Sequence, residues 1–225
     1  NIGDANGNWL FSTNGLIVAD ANGDTMFNGA GLNPGNYADN SPYGLVLAQG
    51  ALILPRPDSP SEYYILHMTV DNELVINAEQ LYLTTVDMSL GGGLGAVVNK
   101  NQVILSDDLN LGYLTAVRHA NGRDWWAFCH KLNTNAYYRF IVTPSGISLD
   151  GTQSIGMTRP ADNGQACFSP DGSKFAYYWG EQDLDIFDFD RCTGLFSNPV
   201  FTPINDYNGA GGVAFSSNGR YVFVS

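Results

Sequence analysis

The sequence is poor in basic residues and has no long apolar run. Its 225 residues include 10 Lys and Arg against 22 Asp and Glu, which gives a formal net charge of −12 and a pI near 4.3. A surface of this charge repels the phosphates of nucleic acids and of anionic lipids, so we expect no nucleic-acid partner. No apolar run approaches the roughly 20 residues that span a bilayer, so we expect no membrane insertion.

Cysteine is also scarce. Cys129, Cys167 and Cys192 are too few and too scattered for a disulfide framework or a zinc site. A single disulfide between two of them remains an open alternative, which would leave the third thiol free. No initiator Met and no signal peptide lead the chain, so we expect a mature or trimmed product.

The chain also lacks any long segment with helical periodicity. Of its residues 44% are hydrophobic and 12% aromatic, and it contains 26 Gly and 10 Pro. Short apolar runs rich in aromatic and β-branched residues, separated by turn residues, are typical of strands. The composition therefore predicts an all-β fold with a sizeable core.

Three segments share a pattern of strand, tight turn and strand. Residues 166–178 show it most clearly, with Ser169-Pro170-Asp171-Gly172 as the turn. Pro fixes φ at the second turn position, and Gly adopts a positive φ without strain. Residues 117–130 and 213–225 repeat the pattern around Asn-Gly, and the turn glycines recur about 50 residues apart.

A second marker keeps the same period. Gly91, Gly146 and Gly194 each close a turn that follows an apolar run. A repeat of about 40–50 residues made of short strands is the signature of a β-propeller blade. We therefore predict an all-β β-propeller built of four-stranded antiparallel blades.

The markers divide the chain, taken as one domain over residues 1–225, into five units. These are 1–45 (incomplete, its inner strand missing), 46–113, 114–165, 166–212 and 213–225 (incomplete). At about 50 residues a blade, a ring of seven needs roughly 350 residues. We therefore expect a fragment of four to five blades from a seven-bladed ring.

Three loop motifs are predicted to be structural. Residues 71–80 are expected to be an insertion, because they lengthen the second unit. Gly91-Gly92-Gly93 lacks the Lys-Ser/Thr pair and the following helix of a phosphate-binding loop, so a flexible turn is favoured. Asp20-x-Asn22-x-Asp24 copies the start of a calcium loop without its closing Glu, so an Asn-Gly hairpin is favoured.

One His, Asp and Cys set is a candidate for catalysis. His119, Asp124 and Cys129 are close in sequence and have the chemistry of a base, an orienting acid and a nucleophile. His119 ends a strand, however, and Asp124 borders the hairpin turn. The pattern favours a turn-stabilising His and Asp with a buried Cys, and the remaining histidines are His67 and His130.

The densest group of carboxylates lies at Asp183, Asp185, Asp188 and Asp190. Such a group could serve a glycosidase or bind a cation. Asp183 and Asp185 alternate with apolar residues, however, which predicts a strand with one solvated face. Asp190 is placed to accept backbone N–H bonds in the following turn. We assign no catalytic residue, cofactor or metal ligand.

Several stretches resemble one known family. They are VDMSLGGGLGAV, LTAVRHANGRDWW, FSPDGSKFA, FDFDRCTGLFSNP and GVAFSSNGRYVFVS, and ANGNWLFSTNG with MFNGAGL resembles the family's opening blade. The chain is similar over most of its length to secreted WD-repeat-like β-propeller proteins of Bacteroidota. These often end in a gliding-motility or type IX secretion sorting domain. The resemblance implies export to the cell surface or medium, and no activity.

Two classes of function follow. The first is a non-catalytic exported module that binds a protein or glycan, on the cell surface or in an extracellular assembly, through loops on a rigid scaffold. The alternative is a secreted enzyme that degrades polysaccharide or peptide with carboxylates at the central channel. The lack of a dense His/Asp/Glu constellation favours the binding module.

Overall fold

Strands make up almost all of the regular structure in the computed structural model, which describes residues 1–161, 164–179, 183–204 and 211–225. The strands of these residues are β1 (Ile2–Gly3), β2 (Trp9–Thr13), β3 (Ile17–Ala19), β4 (Thr25–Ala30), β5 (Ala51–Pro55), β6 (Glu62–His67), β7 (Ala78–Asp87), β8 (Ala96–Leu109), β9 (Thr115–Arg118), β10 (Trp125–His130), β11 (Thr134–Thr143), β12 (Gly146–Arg159), β13 (Gly164–Phe168), β14 (Lys174–Trp179), β15 (Asp183–Asp190), β16 (Leu195–Pro203), β17 (Val213–Phe215) and β18 (Val222–Val224). Helical structure there is limited to α1 (Asn36–Asp39) and a 3-10 turn at Gly91–Gly93. The predicted all-β class is confirmed.

The strands form antiparallel meanders in which each strand pairs with the next along the chain. Four consecutive strands make each of the units β1–β4, β5–β8, β9–β12 and β13–β16, and β17 pairs with β18. The outer strands β4 and β8 also meet in parallel at one pair, Phe27 and Ala96. The four-stranded meander is therefore the repeating unit of the fold.

The turn at residues 169–172 forms as its sequence predicts. Gly172 N donates to Ser169 O at 2.8 Å, and Gly172 has a φ of 72°. Asp171 Oδ1 accepts bonds from Ser169 Oγ at 2.6 Å and Ser173 N at 3.0 Å. The side chain thus closes the turn from inside, as expected for Asp in such a loop.

The first meander begins with a very short inner strand, where the sequence leaves only two or three residues before the first turn. Ile2 pairs with Phe11 and Gly3 with Trp9, so a two-residue strand precedes the first turn. A strand this short carries too few residues to show an alternating pattern.

The core lies between successive sheets. Buried side chains from one meander pack against those of the next in four clusters, which follow the order of the sheets. Adjacent residues of a strand pack into different core clusters, one on each face of the sheet, because side chains alternate across a strand. Tyr177 packs toward β9–β12, and Tyr178 packs toward β17. This stack of sheets supports the loops at its ends.

Two glutamines bind neighbouring units through paired hydrogen bonds. The Gln49 amide donates to Ala166 O and accepts from Ala166 N, both at 2.8 Å. The Gln153 amide donates to Phe196 O at 2.7 Å and accepts from Phe196 N at 2.9 Å. Each amide takes the place of a residue on a neighbouring strand and satisfies two backbone groups at once.

Replacing Gln153 with Ala is expected to lower the free energy of unfolding by about 1–3 kcal/mol, because both backbone groups of Phe196 lose their partner. Urea denaturation followed by tryptophan fluorescence measures the change. Gln102→Ala is the control, since Gln102 is exposed and its side chain bonds only to the nearby Asn99 among the described contacts. Equal stability of the two variants would contradict the bridging role of Gln153.

Candidate functional site

Two long connections leave the first two meanders at the same end. Residues 31–50 join β4 to β5, and residues 68–77 join β6 to β7. Ala51 pairs with His67, and Met68 N donates to Gly50 O at 3.0 Å. The connections therefore lie side by side, and the space between them is named the loop cleft.

The loop at residues 71–77 is braced by its own polar groups. Asp71 N donates to Asn77 O at 3.0 Å, and Ile76 N donates to Asn72 O at 2.8 Å. Asp71 Oδ2 accepts a bond from Glu79 N at 2.8 Å. The loop is thus held in one shape by bonds that start at its base.

The tip of this loop presents apolar side chains to water. Leu74 is 97% exposed, and Val75 and Ile76 are more than half exposed. Ile76 also has a φ of 54°, a conformation that β-branched residues rarely adopt. Strained backbone and exposed apolar side chains in one braced loop are features that cluster at binding sites.

The opposite connection is apolar in the same way. Tyr43 and Val46 are at least 90% exposed. The apolar rim is defined here as these exposed residues of the two connections: Tyr43, Val46, Leu74, Val75 and Ile76.

Polar contacts fix the connection of residues 31–50 in place. Asn36 Nδ2 donates to Glu73 Oε1 at 2.9 Å across the cleft. At its start, Asn33 Oδ1 lies 2.8 Å from His67 Nδ1, and His67 Nε2 lies 2.8 Å from Thr84 Oγ1. His67 is fully buried, so this contact anchors the connection to the sheet.

The cleft has two lobes. The apolar lobe, of about 520 Å³, is lined by Tyr37, Val46, Leu47, Val70, Glu73, Ile76 and Leu111. The polar lobe, of about 360 Å³, is lined by Gly35, Asn36, Tyr37, Val70, Asp71, Asn72, Glu73 and Glu79. Tyr37, Val70 and Glu73 border both lobes, which are therefore contiguous. No Lys or Arg occurs among these described lining residues.

The polar lobe contains Asp71, a carboxylate whose pKa is raised. Burial raises the pKa of Asp71, and the backbone bonds from Glu79 and Gln80 partly oppose this. A carboxylate with a raised pKa in a cleft is a candidate proton acceptor. The same side chain braces the loop, which gives it a structural role as well.

The structure does not bring the predicted His, Asp and Cys together as a catalytic set. His119 Nδ1 accepts a bond from Asn121 N at 3.0 Å, and Asp124 binds Asn121 and Arg123. Cys129 lies farther along β10 in the core, where burial raises its thiol pKa. His119 and Asp124 therefore stabilise the turn, as the sequence favours.

The acidic group on β15 is split by its environment. The prediction of a solvated face is wrong for Asp185, which is fully buried. Asp188 is partly exposed and pairs with Lys174 at 2.6 Å. Asp190 Oδ1 accepts a bond from Cys192 N at 2.8 Å, which confirms its predicted role in the turn. The side chain of Asp183 lies outside the described part of the structure.

The remaining motifs are turns. Asp20 Oδ1 accepts bonds from Asn22 N at 2.8 Å and Asp24 N at 3.2 Å, which makes the predicted hairpin. Gly91–Gly93 form the 3-10 turn. Among the described residues, no cluster of His, Cys, Asp or Glu could hold a metal ion.

No disulfide joins the three cysteines. Cys129, Cys167 and Cys192 are all unpaired, so the disulfide that the sequence left open does not form. No helix in the described ranges is long and apolar enough to cross a membrane.

A buried polar cluster between the third and fourth meanders was not found from the sequence. Arg159 Nη2 donates to Asp185 Oδ2 at 2.7 Å, and both side chains are 1% exposed. The His130 and Tyr177 ring centres lie 5.4 Å apart in the same region. Burial of these groups makes the cluster part of the core. The pair is 26 residues apart, and no local spacing signals it.

No protein-family model and no curated protein sequence matches this chain. Among solved structures, a candidate 6-phosphogluconolactonase from Bacteroides fragilis is similar over 95% of this chain and 61% of its own, with 12% identity and a TM-score of 0.50. A functionally unknown protein from Desulfotomaculum acetoxidans covers 78% of this chain and 51% of its own, with 18% identity and a TM-score of 0.49. The Pseudomonas aeruginosa periplasmic gluconolactonase covers 78% and 42%, with 14% identity and a TM-score of 0.44.

This chain spans less than two thirds of the length of each of these proteins. At 12% identity the likeness to the Bacteroides fragilis protein concerns the fold alone. The chain therefore has a β-propeller-like all-β fold.

Proposed function

We propose that this chain is a non-catalytic propeller module that binds another protein through the loop cleft. The apolar rim carries this proposal. Five large apolar side chains lie exposed on two neighbouring connections that hydrogen bonds hold in place. Exposed apolar groups on an ordered surface mark interaction sites, and apolar side chains dominate the centre of protein interfaces.

A protein partner suits this surface better than a glycan does. Leu74, Val75, Ile76 and Val46 are aliphatic, and their contact area is useful to a partner that also presents apolar groups. Sugars offer many hydroxyl groups, which aliphatic side chains leave without hydrogen-bond partners. Glycan binding is therefore the outcome that a test of the rim must separate from protein binding.

We also propose that the protein is exported and that its propeller has seven blades. Exposure on the cell surface or release into the medium is supported by the resemblance to secreted propellers. A seven-bladed ring, of which this chain supplies four to five blades, is supported by the four repeated meanders and the β17–β18 hairpin. The intact mass and peptide map of the native protein test this: further blades and a sorting domain are expected. A native chain without further blades would contradict the seven-bladed ring.

Selection from a displayed library of random peptides tests the binding function. The protein is expected to enrich peptides, and the variant Leu74→Ser/Val75→Ser is expected to enrich none of them. Val200→Ser/Phe201→Ser is the matched control, because these neighbouring residues are also exposed, at 55% and 41%, but lie on β16. Enrichment that persists in the Leu74/Val75 variant, or binding on a glycan array alone, would contradict the proposal.

Hydrolysis of a sugar lactone is the second candidate function. It is favoured by the fold shared with the Bacteroides fragilis protein and by Asp71 in the polar lobe. Asp71 would accept a proton from the water that attacks the lactone carbonyl. The ring C–O bond then opens, and its oxygen takes up a proton. An acidic lobe repels phosphate, so an unphosphorylated lactone is the better substrate.

A pH-stat assay with glucono-δ-lactone separates the two functions. The binding module gives only the spontaneous rate of ring opening. Faster opening that Asp71→Asn abolishes, while Asp24→Asn retains it, would establish the hydrolase and overturn the non-catalytic proposal.

A further inference from the structure

The loop cleft fits one kind of protein segment better than others. We propose that its partner is a cationic amphipathic peptide segment, in which an apolar side chain stands next to Lys or Arg. This inference rests on the proposed function and adds the chemistry of the partner.

The two contiguous lobes suit a segment that carries an apolar side chain and a cationic side chain next to each other. The apolar lobe is bordered by Val46, Val70 and Ile76, and it continues directly into the lobe of Asp71 and Glu79. A side chain that fills the first lobe brings its neighbours in the peptide against the carboxylates of the second. The spacing therefore selects for apolar and charged groups that are adjacent.

The negative charge of the polar lobe selects a partner of positive charge. Asp71, Glu73 and Glu79 line it, and no ion pair among the described residues neutralises them. The chain as a whole carries a net charge of −12, so the field at the cleft also favours a cation. Complementary charge steers a partner and excludes partners of like charge.

The residues shared by both lobes suit the long side chains of Lys and Arg. Tyr37 and Val70 offer an apolar surface for the methylene stem, while Glu73 lies within the same wall. Asn36 Nδ2 holds the Glu73 carboxylate at 2.9 Å, which fixes its position before a partner arrives. Preorganisation of this kind lowers the entropy lost on binding.

Fluorescence anisotropy with three labelled peptides of equal length tests the inference in 150 mM salt. One peptide contains Leu and Lys, one Leu and Glu, and one Gly and Lys. The Leu/Lys peptide is expected to bind at least about tenfold more tightly than either of the others. The variant Leu74→Ser/Val75→Ser is expected to weaken its binding about tenfold.

Removal of charge from the cleft supplies the second readout. Glu73→Gln/Glu79→Gln is expected to weaken binding of the Leu/Lys peptide roughly 3- to 10-fold. Gln at position 73 retains an oxygen that can accept the bond from Asn36. The control Asp24→Asn/Asp58→Asn also removes two exposed charges, but from turns at the other end of the sheets, and is expected to change little.

The outcomes separate this inference from the proposed function. If the Leu/Glu peptide binds equally well and still depends on Leu74 and Val75, the cationic partner is wrong and protein binding stands. The same holds if the variant Glu73→Gln/Glu79→Gln binds like the wild-type protein. If no peptide binds in a way that depends on Leu74 and Val75, both proposals are wrong.

Discussion

Replacing Arg159 with Met is expected to lower the free energy of unfolding by about 3–5 kcal/mol, because Asp185 then remains as a buried charge without its partner. Both side chains are 1% exposed, and the bond between Nη2 and Oδ2 is 2.7 Å long. Asp185 Oδ2 also accepts a bond from Met157 N at 3.2 Å, which is too little to compensate the charge. Urea denaturation of the wild-type protein and the variant measures the difference.

The double variant Arg159→Met/Asp185→Leu is expected to regain most of the lost stability, because it removes both charges from the core. Lys174→Met is the control for loss of a charge pair on the same sheet. Lys174 and Asp188 are 45% and 42% exposed, and such pairs contribute at most about 1 kcal/mol. If Arg159→Met and Lys174→Met had equal effects, the stabilising role assigned to the buried pair would be wrong.

Asp185 shows where the sequence could not predict the structure. Its alternation with Leu184 and Ile186 correctly indicates a strand, in which alternate residues face opposite sides. Alternation does not reveal that the polar side faces another meander instead of water. That depends on Arg159, which reaches the same interface from β12. A contact between separate sheets leaves no trace in local spacing.

The turns show the opposite case. The side chains in the turn at residues 169–172 bond to atoms a few residues away, and so does Asp190. These bonds can therefore be predicted from the local sequence. The period of these turns then predicts the meanders, because each turn fixes the pairing of its two strands. The all-β class and the repeating unit follow from such local signals.

The candidate site lies between these two cases. The extra length at residues 71–80 is visible in the sequence, and a long loop on a rigid scaffold is a common place for binding. The sequence does not show that Leu74, Val75 and Ile76 point into water, since three consecutive apolar residues normally indicate a buried strand. The positive φ of Ile76 and the facing connection of residues 31–50 decide their exposure.

Acidification from pH 6.5 to pH 5 is expected to lower the free energy of unfolding by about 2 kcal/mol for each of His67 and His130. Burial lowers the pKa of both imidazoles to about 3, and the nearby Arg159 adds to this at His130. The unfolded chain binds protons below about pH 6.5, while the folded chain keeps both rings neutral until about pH 3. Stability is therefore complete above pH 6.5 and falls steadily between these values.

The carboxylate of Asp171 acts in a lower pH window. Hydrogen bonds from Ser169 and Ser173 lower the pKa of Asp171 to about 2, so its contribution is lost only below about pH 4. Urea denaturation at pH 7, 6 and 5 thus measures the loss of stability above the window of Asp171. A stability that stays constant over this range would contradict the assignment of neutral buried rings.

The variant His130→Phe distinguishes the two histidines. Both ring nitrogens of His130 lack a hydrogen-bond partner in the described structure, and the ring stands edge-on to Tyr137 at 4.6 Å. Phe keeps the shape of this contact without a group that can be protonated, so stability at pH 7 should be equal or higher. The loss between pH 6.5 and 5 should be about half that of the wild-type protein. His67→Phe should reduce the slope equally but lower stability at pH 7, because Asn33 and Thr84 lose their bonds to the ring. If His130→Phe kept the full wild-type slope, His130 would not be a source of the acid sensitivity.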